Sequence, residues 1–480
     1  MNRHILLGTL IAAATSCSPH KVTHRPAPPV PVPAAFSGDG TGAPLPDRWW
    51  RDFGDPELSR LIDAMFADNL QLRAAWARLR QGAALARQAS SGKWPQVDLE
   101  ASAARAENRI NLPSIGQQTF SSNSFQISVR AGYEVDVWNK VASNAAAARL
   151  DVAAGRDEIE GLAMSMVAQL SEVWFELVHA RAQRKLLNDQ LDTNKIYVEL
   201  TELRFGQGQA SALDVYQQQQ QVLQIQANLA LVEGAIAANQ QALAVMLGKP
   251  PQTSVAGGPD VLPELPAPPG TGVPADLLVR RPDVRAAQKR VEAADYRVAA
   301  AVADRLPGLR LMGALSLSNA NIGDLIAAPL YSIMASVTAP LFDGGRRKAE
   351  VDRNRAVVEE QLANFGQVLL SAMLEVEQSL VFERQQRLHL IELVQQVEVS
   401  GKALREARER YRQGLIDYLP VITALQAQQR TELALLGAQR QLISYRIQLY
   451  RALGGSWTGE LAAPAALTPA STPTSSRGAP

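Results

Sequence analysis

The sequence predicts a mixed, mainly α fold in which long antiparallel helical hairpins accompany four β-strands per chain. Three observations carry that prediction: an internal duplication, four stretches of apolar–polar alternation, and two proline-free tracts of helical length rich in Ala and Gln. The 480 residues balance 48 Lys and Arg against 47 Asp and Glu, for a net charge of +1. No basic surplus points to nucleic acid as a partner. Aromatics make up only 5% of the chain, which favours helix over a compact sandwich.

The duplication appears as three motif pairs in the same order. Arg73-Ala74-Ala75 with Arg78 and Pro95 returns as Arg285-Ala286-Ala287 with Arg290 and Pro307. Further on, Arg204-Phe205, Gln207-Gly208, Leu213 and Val215 return as Arg410-Tyr411, Gln413-Gly414, Leu419 and Val421. Finally Leu247-Gly248 returns as Leu453-Gly454. One motif pair would be chance; three in order are a repeat, with copies at 47–248 and 276–457 joined by a Pro-rich linker at 249–275.

Residues 1–16 read as an export signal, with Arg3 and His4 before the apolar run Ile5–Ala13, which is too short to span a bilayer. Small residues then precede Cys17, the one cysteine, so cleavage there would free a thiol for lipid attachment. An ordinary secretory signal with an incidental cysteine is the plainer alternative. A lone cysteine excludes a disulfide framework and a CxxC metal knuckle. Residues 17–46, rich in Pro, Gly and Ala, read as an extended tether, and 458–480 as a disordered tail. No later run of about 18 uninterrupted apolar residues predicts a transmembrane helix.

Period-2 alternation marks the strands. Phe125, Ile127, Val129, Ala131, Tyr133, Val135 and Val137 alternate with Gln126, Ser128, Arg130, Gly132, Glu134 and Asp136, and Leu309, Leu311, Gly313, Leu315 and Leu317 alternate with Arg310, Met312, Ala314, Ser316 and Ser318. Val97–Arg105 and Tyr331–Leu341 alternate more weakly. The pattern fits a soluble sheet with one buried face, or an outer-membrane barrel with a lipid side and a lumen side. Four strands cannot close a barrel, whose smallest forms have about eight, so the barrel reading requires further copies.

After each strand pair comes a long helical tract, Trp138–Leu203 and about 346–410, each near 100 Å at 1.5 Å per residue. Met166, Leu170, Val173, Leu177, Ala180, Leu187 and Leu191 follow a coiled-coil spacing, and so do Leu369, Met373, Val376, Leu380, Leu390, Val394 and Val397. Gly208 and Gly414 mark the hairpin turns, and a return helix of about 35 residues follows each.

No catalytic constellation stands out. His179 and His389 sit alone in the long tracts, and no phosphate loop or nucleophile elbow is present. The polar residues of interest cluster at the tips: Arg204, Asp214, Arg410 and Asp417. They serve either as helix-end electrostatics or as an acidic constriction that arginines hold shut when copies meet around a ring.

These residues resemble the outer-membrane efflux protein family of TolC- and OprM-like, NodT-type lipoproteins. The resemblance rests on Trp49-Trp50 with Phe53 and Asp55-Pro56-Glu57-Leu58, on Arg280-Arg281-Pro282-Asp283-Val284, and on Pro340-Leu341-Phe342-Asp343-Gly344-Gly345-Arg346. Arg410-Tyr411-Arg412-Gln413-Gly414 and Leu449-Tyr450-Arg451-Ala452-Leu453-Gly454-Gly455 complete it. It implies a homotrimer whose strands complete one twelve-stranded outer-membrane β-barrel and whose hairpins form a periplasmic α-barrel. It further implies a passive conduit for small molecules, not an enzyme, working with a periplasmic adaptor protein and an inner-membrane transporter. No cofactor is implied beyond covalent lipid on Cys17, which Ser18 would direct to the outer membrane. The implied gate residues are Arg204, Asp214, Arg410, Tyr411 and Asp417, although Pro420 and Thr423 stand where some members carry aspartates. A structural coiled-coil lipoprotein without a pore is the alternative.

Overall fold

The computed structural model describes residues 19–37, 46–112, 116–255, 257–327 and 329–463. Cys17 and the signal lie outside the described residues. The element order shows the duplication directly. Helices α1 (Pro56–Asp68) and α2 (Leu70–Ser91) lead to β1 (Gln96–Leu112) and β2 (Gly116–Val135), then α3 (Lys140–Gly206) and α4 (Ala212–Met246). The second copy runs α5 (Pro282–Ala303), β3 (Gly308–Asn319), β4 (Pro329–Thr338), α6 (Arg346–Arg412) and α7 (Leu419–Leu453). Both long helices have 67 residues and both return helices 35.

Two compact units divide the chain, and each draws on both copies. The first holds Leu79–Arg156 and Ala286–Gly366 with the described part of Met1–Pro29, and so contains the sheet. The second holds Val30–Arg78, Asp157–Arg285 and the described part of Gln367–Pro480, and so contains both hairpin tips.

The sheet is antiparallel in the order β1-β2-β3-β4. Its register aligns Val97, Ala131, Gly313 and Ile333 in one row and Leu99, Val129, Leu315 and Tyr331 in the next. Every residue in those rows is apolar or aromatic, yet Ile333 is 91% and Tyr331 83% exposed. The opposite face carries Glu100, Ser128, Arg130, Glu134, Arg310 and Ser316. There Arg130 pairs with Glu100 at 2.8 Å, and Gln126 donates to Ser316 Oγ at 3.2 Å. Strand β1 outruns the alternation at Arg105 because backbone pairing with β2 continues past Glu107 and Arg109, where side-chain polarity stops alternating. Trp94, Trp138 and Phe342 flank the helix-proximal ends of the strands, an aromatic fringe beside an apolar band.

The long helices pack by heptad seams, but the second seam is not the one that hydrophobicity marks. Along α3, Met166, Leu170, Leu177, Ala180 and Leu187 are buried. On α6 the buried row is Phe365, Leu369, Ala372, Val376, Ser379, Glu383, Leu393 and Leu404, whereas Val394 is 54% exposed. The apolar count steps off the true row because Ser379 and Glu383 are polar. Glu383 is buried against Arg446, which donates to it from Nε at 3.1 Å and Nη2 at 2.6 Å. Arg446 also donates to the carbonyls of Pro266 and Ala267 at 3.1 and 3.3 Å, tying the linker to α7. Removing one partner of such a buried pair costs about 3–5 kcal/mol.

Among the described residues, α4 is the helix long and apolar enough to cross a membrane by composition, with a stretch of mean hydropathy 1.3. Counting uninterrupted runs missed it because glutamines and asparagines break them. Its buried Val215, Gln218, Ile225, Val232, Ile236 and Leu243 fall on one helical row, which packs against the protein, while Leu213, Tyr216, Leu223 and Leu231 on its other faces are exposed.

Each return helix closes onto the start of its own copy at a glycine. Gly248, at φ +70°, brings its α-carbon so close that a Cβ would sit 2.5 Å from the Asp68 carbonyl oxygen. Gly454, at φ +82°, repeats this 2.7 Å from the Arg280 oxygen. The next residue in each copy then satisfies a carbonyl at the end of the return helix. Asn69 Nδ2 donates to Met246 O at 2.8 Å, and Arg281 Nη1 to Ala452 O at 3.2 Å. The repeated Leu-Gly motif is thus a steric requirement of the junction.

Within the first unit, the N-terminal segment contacts α5 through histidine–carboxylate pairs. His20 Nε2 is 2.6 Å from Asp295, and His24 Nδ1 is 2.7 Å from Glu292, both carboxylates on α5.

Gly454→Ala is expected to cost on the order of 1–3 kcal/mol, since it combines a left-handed backbone with a blocked Cβ. The control Gly437→Ala, where a Cβ meets nothing within 4 Å in mid-helix, is expected to be neutral or to gain up to about 1 kcal/mol. Thermal denaturation of both variants reads the difference.

Candidate functional site: the hairpin tips

The two tips have the same backbone turn but different caps. Gly208 at φ +71° and Gly414 at φ +72° each end a long helix. Gln209 N donates to Arg204 O at 2.8 Å, and Leu415 N donates to Arg410 O at 2.9 Å. At the first tip, Ser211 caps α4 in a capping box: Asp214 N donates to Ser211 Oγ at 3.2 Å, and Ser211 N to Asp214 Oδ2 at 2.9 Å. At the second tip, Pro420 occupies the place of Asp214, and Tyr418 precedes α7 without a side-chain cap.

Instead of capping, Tyr418 turns inward. It is 3% exposed among Leu404, Val421, Ile422 and Leu425, with Tyr197 and Tyr411 packed against them. Its hydroxyl donates to Gln218 Oε1 at 2.9 Å. Gln218, itself fully buried, donates to Asn194 Oδ1 at 2.8 Å, and Asn194 donates to Gln190 O at 2.7 Å. This chain of hydrogen bonds joins the start of α7 in one hairpin to α4 and α3 in the other. An unpaired amide at such depth would cost about 1–3 kcal/mol, so the chain holds as a unit.

Two cation–π contacts run beside it, also between hairpins. The Arg204 guanidinium lies 4.5 Å from the Tyr411 ring centroid, and that of Arg408 5.2 Å from the Tyr197 ring. Tyr411 and Tyr418 are 5.4 Å apart. Burial pushes the Tyr418 phenol well above its ordinary value, with Tyr197, Tyr411 and Asp214 adding to the shift. Burial likewise raises Tyr197. Tyr418 therefore remains a protonated donor across physiological pH.

Of the residues singled out from sequence, the structure brings Arg204 and Tyr411 together. Arg410 instead pairs with Glu406 on its own helix at 2.7 Å, both side chains largely exposed, and such a pair contributes little. Asp214 is engaged by its cap and Asp417 is exposed. Among the described residues of one chain, no salt bridge joins Arg204 or Arg410 to either aspartate. Sequence reasoning missed Tyr418, Gln218 and Asn194. The available signal was that Tyr418 is an aromatic residue just before a helix whose first-copy counterpart is Ala212.

Alongside this latch, a cleft of about 530 Å³ lies between the hairpins, lined by amides including Gln217, Gln221, Gln224, Asn228 and Gln426. Gln426 donates to Gln221 across it at 3.1 Å. No group of three or more His, Cys, Asp or Glu among the described residues is placed to hold a metal ion.

Residues 61–249 and 273–455 match the sequence model of a family described as outer membrane efflux protein. The chain is 31% identical over 427 residues to the pyoverdine export outer membrane protein OpmQ of Pseudomonas aeruginosa, covering 86% of this chain and 88% of that protein. It is 28% identical over 450 residues to the solvent efflux pump outer membrane protein SrpC of Pseudomonas putida, covering 90% and 94%. The solved outer-membrane channel OprN superposes with a TM-score of 0.84 at 26% identity, covering 92% of this chain and all of that one.

Tyr418→Phe removes the only donor to Gln218 Oε1 in the chain of bonds and is expected to cost about 1–3 kcal/mol at neutral pH. A raised phenol contributes stability that is fully present below its unfolded value, about 10, and is lost as pH rises through the folded one. Urea unfolding of both proteins should therefore show the gap narrowing above about pH 10.

Proposed function

The chain belongs to the outer membrane efflux protein family, and from that premise we propose that three copies form one passive duct whose tips are latched from within each chain. The protein is the outer-membrane component of a tripartite efflux system, a reading supported by relatives named as outer membrane proteins of export and efflux. The exposed apolar rows of the sheet support the membrane assignment, because only hydrocarbon or another chain matches Ile333 and Tyr331. Four strands with open β1 and β4 edges support assembly, since lipid satisfies no backbone hydrogen bond.

The duct performs no chemistry of its own. Cys17 carries the lipid that tethers each chain to the outer membrane, and the mature chain starts there. A periplasmic adaptor engages the duct and couples it to an inner-membrane transporter, which supplies the energy and selects the cargo. Exported solutes meet an amide-rich, largely uncharged surface between the hairpins, suited to solutes of either sign.

The observation that carries the gating role is the buried Tyr418–Gln218–Asn194 chain between hairpins, flanked by Arg204 on Tyr411. Opening a tip by separating its hairpins must break these contacts together. Arg410 and Asp417 act as solvated helix-end charges in this account.

In planar bilayers, Tyr418→Phe and Arg204→Ala are each expected to raise the open fraction about fivefold, as a shift of about 1 kcal/mol gives. Arg410→Ala is expected to leave conductance unchanged. An increase with Arg410→Ala alone would move the gate to the exposed charges, and absence of channels from every variant would return the chain to a poreless scaffold.

A further inference from the structure

Within the first unit, α2 and α3 run antiparallel in close contact: the Gly82 α-carbon faces Val152, Gly92 faces Val141, and Gly155 faces Leu79. These glycines let the helices approach closely, and a cleft of about 530 Å³ lies beside them. Ala86, which is buried, Val152 and Ser90 line it together with the exposed Trp94. Arg87 and Arg149 flank it from the two helices. Both arginines are exposed, and neither has a carboxylate partner among the described residues. Lys93 adds a further exposed cation beside Trp94.

The location of this cleft is distinctive. Trp94 is 73% exposed and stands two residues before β1, whose outward apolar row begins at Val97 and Leu99. A tryptophan at that boundary marks the level of the lipid headgroups. An apolar slot with two uncompensated guanidiniums at that level matches a molecule with an anionic head and a hydrocarbon tail.

We propose that this cleft is a binding site for an anionic phospholipid of the periplasmic leaflet. The phosphate sits between Arg87 and Arg149, and one acyl chain lies along Ala86, Val152 and the Trp94 ring. Guanidinium is suited to this task because its planar fork donates in pairs to phosphate oxygens. The inference rests on the outer-membrane reading and adds to it a specific lipid contact at the base of the strands, independent of the lipid on Cys17.

The test uses the full-length protein, purified in detergent and exchanged with phosphatidylglycerol or phosphatidylcholine, with bound lipid counted by native mass spectrometry. The wild type is expected to retain phosphatidylglycerol on the order of tenfold more tightly than phosphatidylcholine. Arg87→Ala with Arg149→Ala should abolish the preference, Arg87→Lys with Arg149→Lys should keep part of it, and Trp94→Ala should weaken retention of both lipids. Equal retention of the two lipids by the wild type would overturn the proposal, as would full preference in the double alanine variant. A disulfide between copies through Ala83→Cys would place a neighbouring chain in the cleft and overturn it too. Bilayer conductance of the same preparations separates the two readings. Channels without a lipid preference count against the site alone, whereas a wild type without channels counts against the duct.

Discussion

A sheet with one apolar face and two open edges is the constraint on which the rest of this structure depends. Register puts Val97, Ala131, Gly313 and Ile333 on the same side as Leu99, Val129, Leu315 and Tyr331, and that side is not covered by the chain's own helices. In water such a face would aggregate; in hydrocarbon it is at home, but the edges of β1 and β4 are not. The remedy is closure, and one chain carries too few strands to close on itself. In the proposed duct, oligomerisation is a demand of strand number rather than of any particular interface residue.

Duplication supplies the scaffold economically but not symmetrically. Both copies close through a left-handed glycine pressed on a backbone carbonyl, Gly248 on Asp68 and Gly454 on Arg280. Both also satisfy the end of the return helix from the adjacent residue, Asn69 or Arg281. At the tips the copies diverge. The first retains a capping box at Ser211 and Asp214, whereas the second exchanges its cap for Pro420 and the inward-turned Tyr418. Relaxed symmetry at the tip lets one copy lock onto the other, which two identical tips would not do through this bond.

Much of the fold was legible in the sequence because periodicity is a direct record of burial. The strands announced themselves by alternation and the helices by length, and the ordered motif pairs gave the repeat. What escaped was carried by polar residues in buried places. The α6 seam passes through Ser379 and Glu383, which a count of apolar residues must skip, and only the contact with Arg446 explains them. The end of β1 escaped for the converse reason: backbone bonds outlast side-chain alternation. At the tip, charge drew attention to Arg410 and Asp417, which remain solvent-exposed, while the buried bonding falls to Tyr418, Gln218 and Asn194. Sequence identifies charged residues more readily than it identifies their partners.

The most direct test of the central claim is the native mass of the protein extracted from outer membranes. The account predicts a single species of three chains, each beginning at Cys17 and carrying the added mass of its acyl groups. A monodisperse monomer with a folded sheet would contradict it, because the open edges would then need no other copy.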